Sequence, residues 1–171
     1  MSEIFGLSDL LGSLIELERS GQRLYDTLAA TNTDKPELCK LFKELYSWEK
    51  QHEELYVGYL AVMGDVQEMA DDQEYRDYLR SLVQSAMHLA TTSRQPTDST
   101  GDILRLALQI EKDTVLFLRE VIPCVPERFG ADSVLSSVLR EEQRHVVIIQ
   151  SLLSNEPNAQ EKRRGGMHAI A

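Results

Sequence analysis

Residues 47–55, SWEKQHEEL, place Glu49 and His52 three positions apart in a segment whose apolar residues recur every three or four positions. Side chains at positions i and i+3 lie on one face of an α-helix, so this carboxylate and this imidazole point in the same direction. Two interpretations follow: a polar face in contact with solvent, or half of a metal site made from a Glu-x-x-His pair. The other helices distinguish between them.

A second Glu-x-x-His pair, Glu142 and His145, occurs in residues 139–149, LREEQRHVVII. It follows the first pair by 93 residues, and the surrounding apolar positions repeat at the same interval. The repeated apolar pairs are Leu24 with Phe117, Leu28 with Val121, Leu55 with Ile148, and Leu60 with Leu153. The chain therefore contains one helical hairpin twice, which predicts a pseudo-two-fold axis through the centre of the fold.

Helical periodicity extends over nearly the whole chain, and no segment alternates in the manner of a strand. The predicted helices are α1 (4–30), α2 (36–64), α3 (73–92), α4 (102–122) and α5 (beginning after Asp132 or Ser133 as N-cap and ending near 154). Short loops join α1 to α2 and α4 to α5, whereas α3 lies within a long connection over residues 65–101. At 1.5 Å per residue, a helix of this length spans about 30 Å, the length of a bundle.

These elements predict an all-α fold, a four-helix bundle of two helical hairpins joined by a long crossover that contains a shorter fifth helix. Residues 1–154 are expected to form one domain and residues 155–171 a flexible tail.

Each of the four long helices has an inward-facing seam with a carboxylate near its midpoint, and two of these seams add a histidine. Ionised carboxylates inside a bundle are costly unless they are paired or bound to cations, and no lysine or arginine occupies the seams. Bundles that bind two iron or manganese ions use this inventory: one Glu from each of two helices and Glu-x-x-His from the other two. The predicted ligands of a two-metal centre are Glu18, Glu49, His52, Glu111, Glu142 and His145. The alternative, a satisfied polar network or an exposed stripe, stays open at this point.

Composition excludes several classes of function. The net charge of −10 repels phosphate, so nucleic acid is not an expected partner. No apolar run reaches 18 residues and no signal peptide is recognised, so no membrane association is expected. The chain has two cysteines and no C-x-x-C, which predicts a reduced protein of the cytoplasm.

Residues 15–29, IELERSGQRLYDTLA, and the 139–149 segment resemble the rubrerythrin-like branch of the ferritin-like superfamily, over about residues 4–154. The first segment is similar to the family pattern E-x-x-[AG]-x-x-[FYL]-Y, and the second carries E-x-x-H within E-E-x-R-H. The resemblance implies a ferritin-like bundle that holds two iron ions.

It also implies a role for each ligand. Glu49 and Glu142 would bridge the two irons, Glu18 and Glu111 would be terminal carboxylates, and His52 and His145 would each bind one iron. Carboxylate and imidazole ligands also leave manganese and zinc as alternatives.

The implied activity is reduction of peroxide or dioxygen. The family's rubredoxin-type iron site needs four cysteines that this sequence lacks, so an external electron donor protein is expected. Thr114 stands where the family has a further Glu. A ferroxidase or iron-handling protein and a non-catalytic, metal-stabilised bundle are the alternatives. Ferritin-like relatives self-associate and α3 is amphipathic, so a homodimer is expected.

Four further residues lie near the predicted ligands. Tyr25, Tyr46 and Tyr56 are either core tyrosines or hydrogen-bond donors to the centre. Glu141, which precedes Glu142, is expected to face outward.

Overall fold

A computed structural model describes residues 6–63, 73–92, 99–125 and 131–155. Within these ranges the chain is helical and has no strand, which confirms the predicted all-α class. The helices are α1 (Leu7–Thr31), α2 (Pro36–Met63), α3 (Gln73–Thr92), α4 (Thr100–Val121) and α5 (Ala131–Asn155), with a 3-10 turn at Ile122–Cys124. The predicted start of α1 at residue 4, the end of α2 at 64 and residues 156–171 of the predicted tail (155–171) lie outside the described residues, while Asn155 is the last residue of α5.

Local chemistry explains several helix ends. Between α1 and α2, the Asn32 side-chain amide donates to the Leu28 carbonyl at 2.9 Å, and Pro36 begins α2, where its missing N–H costs nothing. The helix α4 ends at Val121, two residues before Pro123, as expected from the inability of proline to donate within a helix.

Two predicted N-termini were wrong by two or three residues. The helix α4 begins at Thr100 rather than 102, because Ser99 caps it and its hydroxyl accepts a hydrogen bond from the Asp102 amide. The helix α5 begins at Ala131, so Asp132 and Ser133 belong to its first turn and neither is the N-cap.

Two groups of buried apolar side chains fill the interior. The α3 cluster includes Leu10 of α1, Tyr56 of α2, Leu79 of α3, Leu118 of α4 and Leu135 of α5. The loop cluster includes Tyr25 of α1, Phe42 and Leu45 of α2, Ala107 of α4 and Ile149 of α5. The first half of α1 thus meets the second halves of α2 and α4, so α1 runs antiparallel to both.

The helices therefore pack as two antiparallel hairpins, α1 with α2 and α4 with α5, and α3 lies against α1 and α4. This arrangement is compatible with a helical bundle. None of the helices in the described ranges combines the length and the apolar character that crossing a bilayer requires. The predicted seams are correct at their midpoints, because Glu18, Glu49, Glu111 and Glu142 are all buried between the two clusters.

Candidate metal centre

The structure brings the six predicted residues together in the middle of the bundle. They form two groups, in each of which the candidate ligand atoms lie within 4.8 Å of one another. The first group is Glu18, Glu49, His52 and Glu142, and the second is Glu49, Glu111, Glu142 and His145. Glu49 and Glu142 belong to both groups. The two groups therefore form one continuous cluster.

In the first group, His52 points one ring nitrogen at the cluster and the other away from it. Its Nδ1 lies 2.7 Å from Oε1 of Glu142 and 3.9 Å from Oε2 of Glu18. Its Nε2 lies 3.1 Å from Oε2 of Glu141. The imidazole thus connects a buried carboxylate cluster to a carboxylate that is 43% exposed.

In the second group, His145 again directs Nδ1 at the cluster. This nitrogen lies 3.3 Å from Oε2 of Glu111 and 3.1 Å from Oε2 of Glu142. The fully buried Tyr25 donates its hydroxyl to Oε1 of Glu111. The indole of Trp48 stacks on the His145 ring with centroids 4.6 Å apart and an interplanar angle of 14°. A hydroxyl and an aromatic face therefore hold the second group.

Gly21 makes room for Glu49. A Cβ atom at position 21 would lie 3.0 Å from Oε2 and 3.3 Å from Cγ of Glu49, closer than ordinary van der Waals contact. Gly21 is one helical turn beyond Glu18 on the same face of α1. The absence of a side chain at this position lets the Glu49 carboxylate pass alongside α1 towards the cluster.

Burial dominates the electrostatics of the carboxyl groups. It raises the pKa of Glu18 to about 7 and that of Glu111 to about 8, and it raises the pKa of Glu49 well above its ordinary value. Glu142 behaves oppositely: burial alone would raise its pKa, but hydrogen bonds from His145 and His52 lower it. Glu142 therefore keeps its negative charge, while at neutral pH Glu49 and Glu111 favour the protonated form and Glu18 is divided between the two forms.

The two histidines compensate for that charge. Burial alone lowers the pKa of both, but hydrogen bonds to the surrounding carboxylates outweigh it. Glu142 is the strongest such partner for His52, whose pKa rises to about 9, and Glu111 for His145, whose pKa rises to about 10. Without a metal, protons balance the charge of the cluster; bound cations would balance it by displacing those protons.

The donor set fits divalent metal ions. Both side-chain oxygens of Glu18 and the Tyr56 hydroxyl are buried without a hydrogen-bond partner among the described residues. Buried polar atoms of this kind call for a partner. In the described part of the chain, the ion pairs of Glu18, Glu111 and Glu142 are with histidines and not with lysine or arginine. Four carboxylates and two imidazoles are compatible with a metal site, and they do not distinguish iron, manganese and zinc.

The residues around the ligands divide by position. Tyr25 is a buried donor to the cluster, Tyr56 is buried beside it, and Tyr46 is exposed and lines a surface pocket with Arg19, Gln22, Arg23 and Asp26. Thr114 is buried, but its hydroxyl donates to the Ile110 carbonyl of its own helix at 3.2 Å. These contacts assign Tyr25 to the site and remove Tyr46 from it.

Sequence reasoning missed two residues of the site. Glu141 was expected to face outward, yet its carboxylate contacts His52 while remaining partly exposed. No role was predicted for Trp48 from the sequence, although its indole stacks on the His145 ring. The pattern that could have found both is the internal repeat, because Trp48 and Glu141 occupy the same place immediately before the Glu of each Glu-x-x-His pair.

No family model, curated protein or solved structure matches this chain.

Proposed function

We propose that this chain is a ferritin-like protein whose central cluster binds two iron ions and reduces peroxide or dioxygen, as the resemblance to the rubrerythrin-like branch implies. The observation that carries the proposal is the sharing of Glu49 and Glu142 between two four-residue ligand groups. Shared carboxylates are the means by which one protein holds two metal ions side by side.

Within this proposal each ligand has a role. Glu49 and Glu142 would be shared by both ions, while Glu18 with His52 would hold one ion and Glu111 with His145 would hold the other. Two bound ferrous ions would supply one electron each, which matches the two electrons needed to convert peroxide and two protons into two molecules of water. Iron is proposed from the family resemblance, and the ligand types leave manganese and zinc as the alternatives.

The surrounding residues prepare the centre for this chemistry. The six ligands are at most 5% exposed, so bulk water is excluded and electrostatic interactions inside the cluster are strengthened. The Tyr25 hydroxyl orients the Glu111 carboxylate, and burial followed by the charges of Glu111 and Glu49 raises the tyrosine's pKa, which keeps it a donor. Electrons would come from an external donor protein, because the sequence has no cysteine-rich iron motif of its own.

Metal analysis tests the centre. Protein purified without chelator should contain close to two ions per chain, and Glu49→Ala/Glu142→Ala should contain almost none, since both shared ligands are lost. The matched control is Glu44→Ala/Glu54→Ala, which removes two exposed carboxylates from α2. Wild-type metal content in the first variant would overturn the assignment of the ligands.

Stopped-flow mixing tests the reaction. The ferrous-loaded protein is mixed with peroxide and, separately, with dioxygen, and the oxidation of iron is followed by absorbance. Rapid oxidation by either supports the proposed reductase, with peroxide expected to be the faster. Mineral growth in a large assembly on repeated ferrous addition would instead establish an iron-handling protein. Absence of reaction with both oxidants would leave a non-catalytic bundle.

A further inference from the structure

The two halves of the cluster differ at one repeated position. Trp48 precedes Glu49 in α2, and Glu141 precedes Glu142 in α5. Each of these residues contacts the histidine of the opposite motif: Glu141 contacts His52, and Trp48 stacks on His145. The internal repeat thus reproduces the contact but changes its chemistry.

Glu141 fixes His52 by a hydrogen bond. Its carboxylate can only accept, so Nε2 of His52 carries the proton that it donates across 3.1 Å. In the neutral imidazole that would bind a metal, this leaves the lone pair on Nδ1, which faces Glu142 and Glu18. A carboxylate on the far side of a ligating imidazole orients the ring and increases its basicity. Since the Glu141 side chain is 43% exposed, this contact also reaches the protein surface.

Trp48 holds His145 by packing. Its indole is partly buried against the loop cluster and lies nearly parallel to the imidazole. An aromatic face restricts the rotation of the ring and covers it from solvent, but it accepts no charge-assisted hydrogen bond from an in-plane ring N–H. The His145 half is therefore covered by an indole, whereas the His52 half is hydrogen-bonded to a partly exposed carboxylate.

We infer that the two metal sites are inequivalent, with Glu141 as the positioning residue of the His52 site and Trp48 as the positioning residue of the His145 site. The inference rests on the proposed metal centre and specifies which residues control each ion. Loss of a hydrogen-bond partner behind a ligating histidine weakens metal binding by about 10- to 100-fold. Removal of Glu141 should therefore lower the affinity for the ion at the His52 site and leave the affinity for the other ion unchanged.

Titration with Co²⁺ tests this assignment, because visible absorbance counts the bound ions while fluorescence reports on their position. Trp48 is the only tryptophan and stacks on His145, so the ion nearest to His145 should quench its fluorescence more strongly than the other ion does. Wild-type protein should bind two Co²⁺ per chain. Glu141→Ala should bind one ion with an unchanged fluorescence midpoint and the second about 10- to 100-fold more weakly. Glu141→Gln should lose less affinity for this second ion, since the amide oxygen still accepts a hydrogen bond from Nε2 of His52.

The reciprocal variant is Trp48→Ala, followed by absorbance alone. This variant should weaken the binding of the ion whose affinity Glu141→Ala leaves unchanged. The double variant Trp48→Ala/Glu141→Ala should weaken the binding of both ions. Glu54→Ala, an exposed carboxylate of α2, is the matched control and should titrate as wild type. Thermal unfolding of each metal-free variant distinguishes an altered site from an altered fold.

The outcomes separate this inference from the proposed function. If wild-type protein binds two Co²⁺ and Glu141→Ala weakens both equally, or neither, the inequivalence is wrong while the metal centre stands. A shift of the fluorescence midpoint in Glu141→Ala would reverse the assignment of the residues and equally overturn it. If wild-type protein binds no Co²⁺, the metal centre itself fails.

Discussion

Single residues determine how the buried cluster is satisfied. Tyr25 and Tyr56 are both fully buried at the centre, but only the Tyr25 hydroxyl has a hydrogen-bond partner, Glu111, among the described residues. An acceptor left without its donor in the interior costs more than the hydrogen bond itself contributes. The two tyrosines should therefore respond differently to loss of the hydroxyl.

We expect Tyr25→Phe to lower the unfolding free energy of the metal-free protein by about 1–3 kcal/mol, because Glu111 loses a buried donor. Tyr56→Phe should cost little or nothing, since the hydroxyl it removes has no partner in the described structure. Urea denaturation of both variants after treatment with chelator measures the difference. Equal losses would mean that the Tyr56 hydroxyl is hydrogen-bonded after all.

Gly21 and Gly12 both lie in α1 but differ in the space around them, so Gly12 can serve as the control for Gly21. A Cβ at Gly21 would crowd Glu49, whereas a Cβ at Gly12 would meet no atom within 4 Å. Gly21→Val should displace the Glu49 carboxylate and weaken metal binding by about tenfold or more. Gly12→Val should bind metal as wild type does. Equal metal affinities in equilibrium dialysis would show that Glu49 adjusts without loss.

Caps determine where the helices that carry the ligands begin. The helix α4, which carries Glu111, begins with a reciprocal cap: the Ser99 hydroxyl accepts from the Asp102 amide, and the Asp102 carboxylate accepts from the Ser99 amide. Hydrogen bonds from Ser99 and then Arg105 lower the pKa of Asp102 to about 2. The cap therefore depends on the ionised form of Asp102.

We expect Ser99→Ala to raise the pKa of Asp102 towards its ordinary value of 3.8, because the largest cause of the shift is removed. A lowered carboxyl pKa stabilises the fold above the unfolded value, and this contribution disappears as the pH falls from about 4 to about 2. Carboxyl resonances followed by NMR during an acid titration measure the shift. Ser13→Ala, an exposed hydroxyl that donates to the Asp9 carbonyl within α1, should leave the pKa of Asp102 unchanged.

For the molecule as a whole, the central cluster makes stability depend on pH and on metal. The folded, metal-free chain holds extra protons on Glu18 and Glu111, with pKa values of about 7 and 8, and on His52 and His145, with values of about 9 and 10. The unfolded chain releases the same protons near 4.5 and 6.5. The folded form therefore binds more protons over this interval.

We expect the metal-free protein to lose stability as the pH rises from about 5 to about 10, since stability falls wherever the folded state binds more protons. With saturating metal the trend should weaken or reverse, because the ligands are already deprotonated. Thermal unfolding at several pH values, with chelator and with excess Mn²⁺, checks both parts. A melting temperature of the chelated protein that rises towards pH 9 would contradict these protonation states.

The exposed surface of the whole molecule bears on its association with a second copy of the chain. The described helices expose several large apolar side chains, among them Val62 at 85% and Val147 at 63% exposure. We expect a homodimer, by resemblance to ferritin-like proteins. Light scattering at micromolar concentration should give twice the chain mass of 19.4 kDa. A strict monomer would count against the prediction.

The sequence by itself determined the helices, the inward seams and all six clustered residues. Helical periodicity is a local property: a residue's face follows from its position within 3.6-residue turns, and the internal repeat placed the two Glu-x-x-His pairs at matching heights. The ends of α4 and α5 were less accurate, because a cap depends on which hydroxyl or carboxylate meets the first turn.

Only the tertiary structure decided the contacts between helices. It determined that Glu141 meets His52, that Trp48 stacks on His145, that Tyr25 rather than Tyr46 serves the cluster, and that Gly21 clears a space for Glu49. Each of these contacts joins residues on different helices. Their distances depend on the rotation and offset of one helix against another, which side-chain packing fixes and which periodicity along a single helix does not contain.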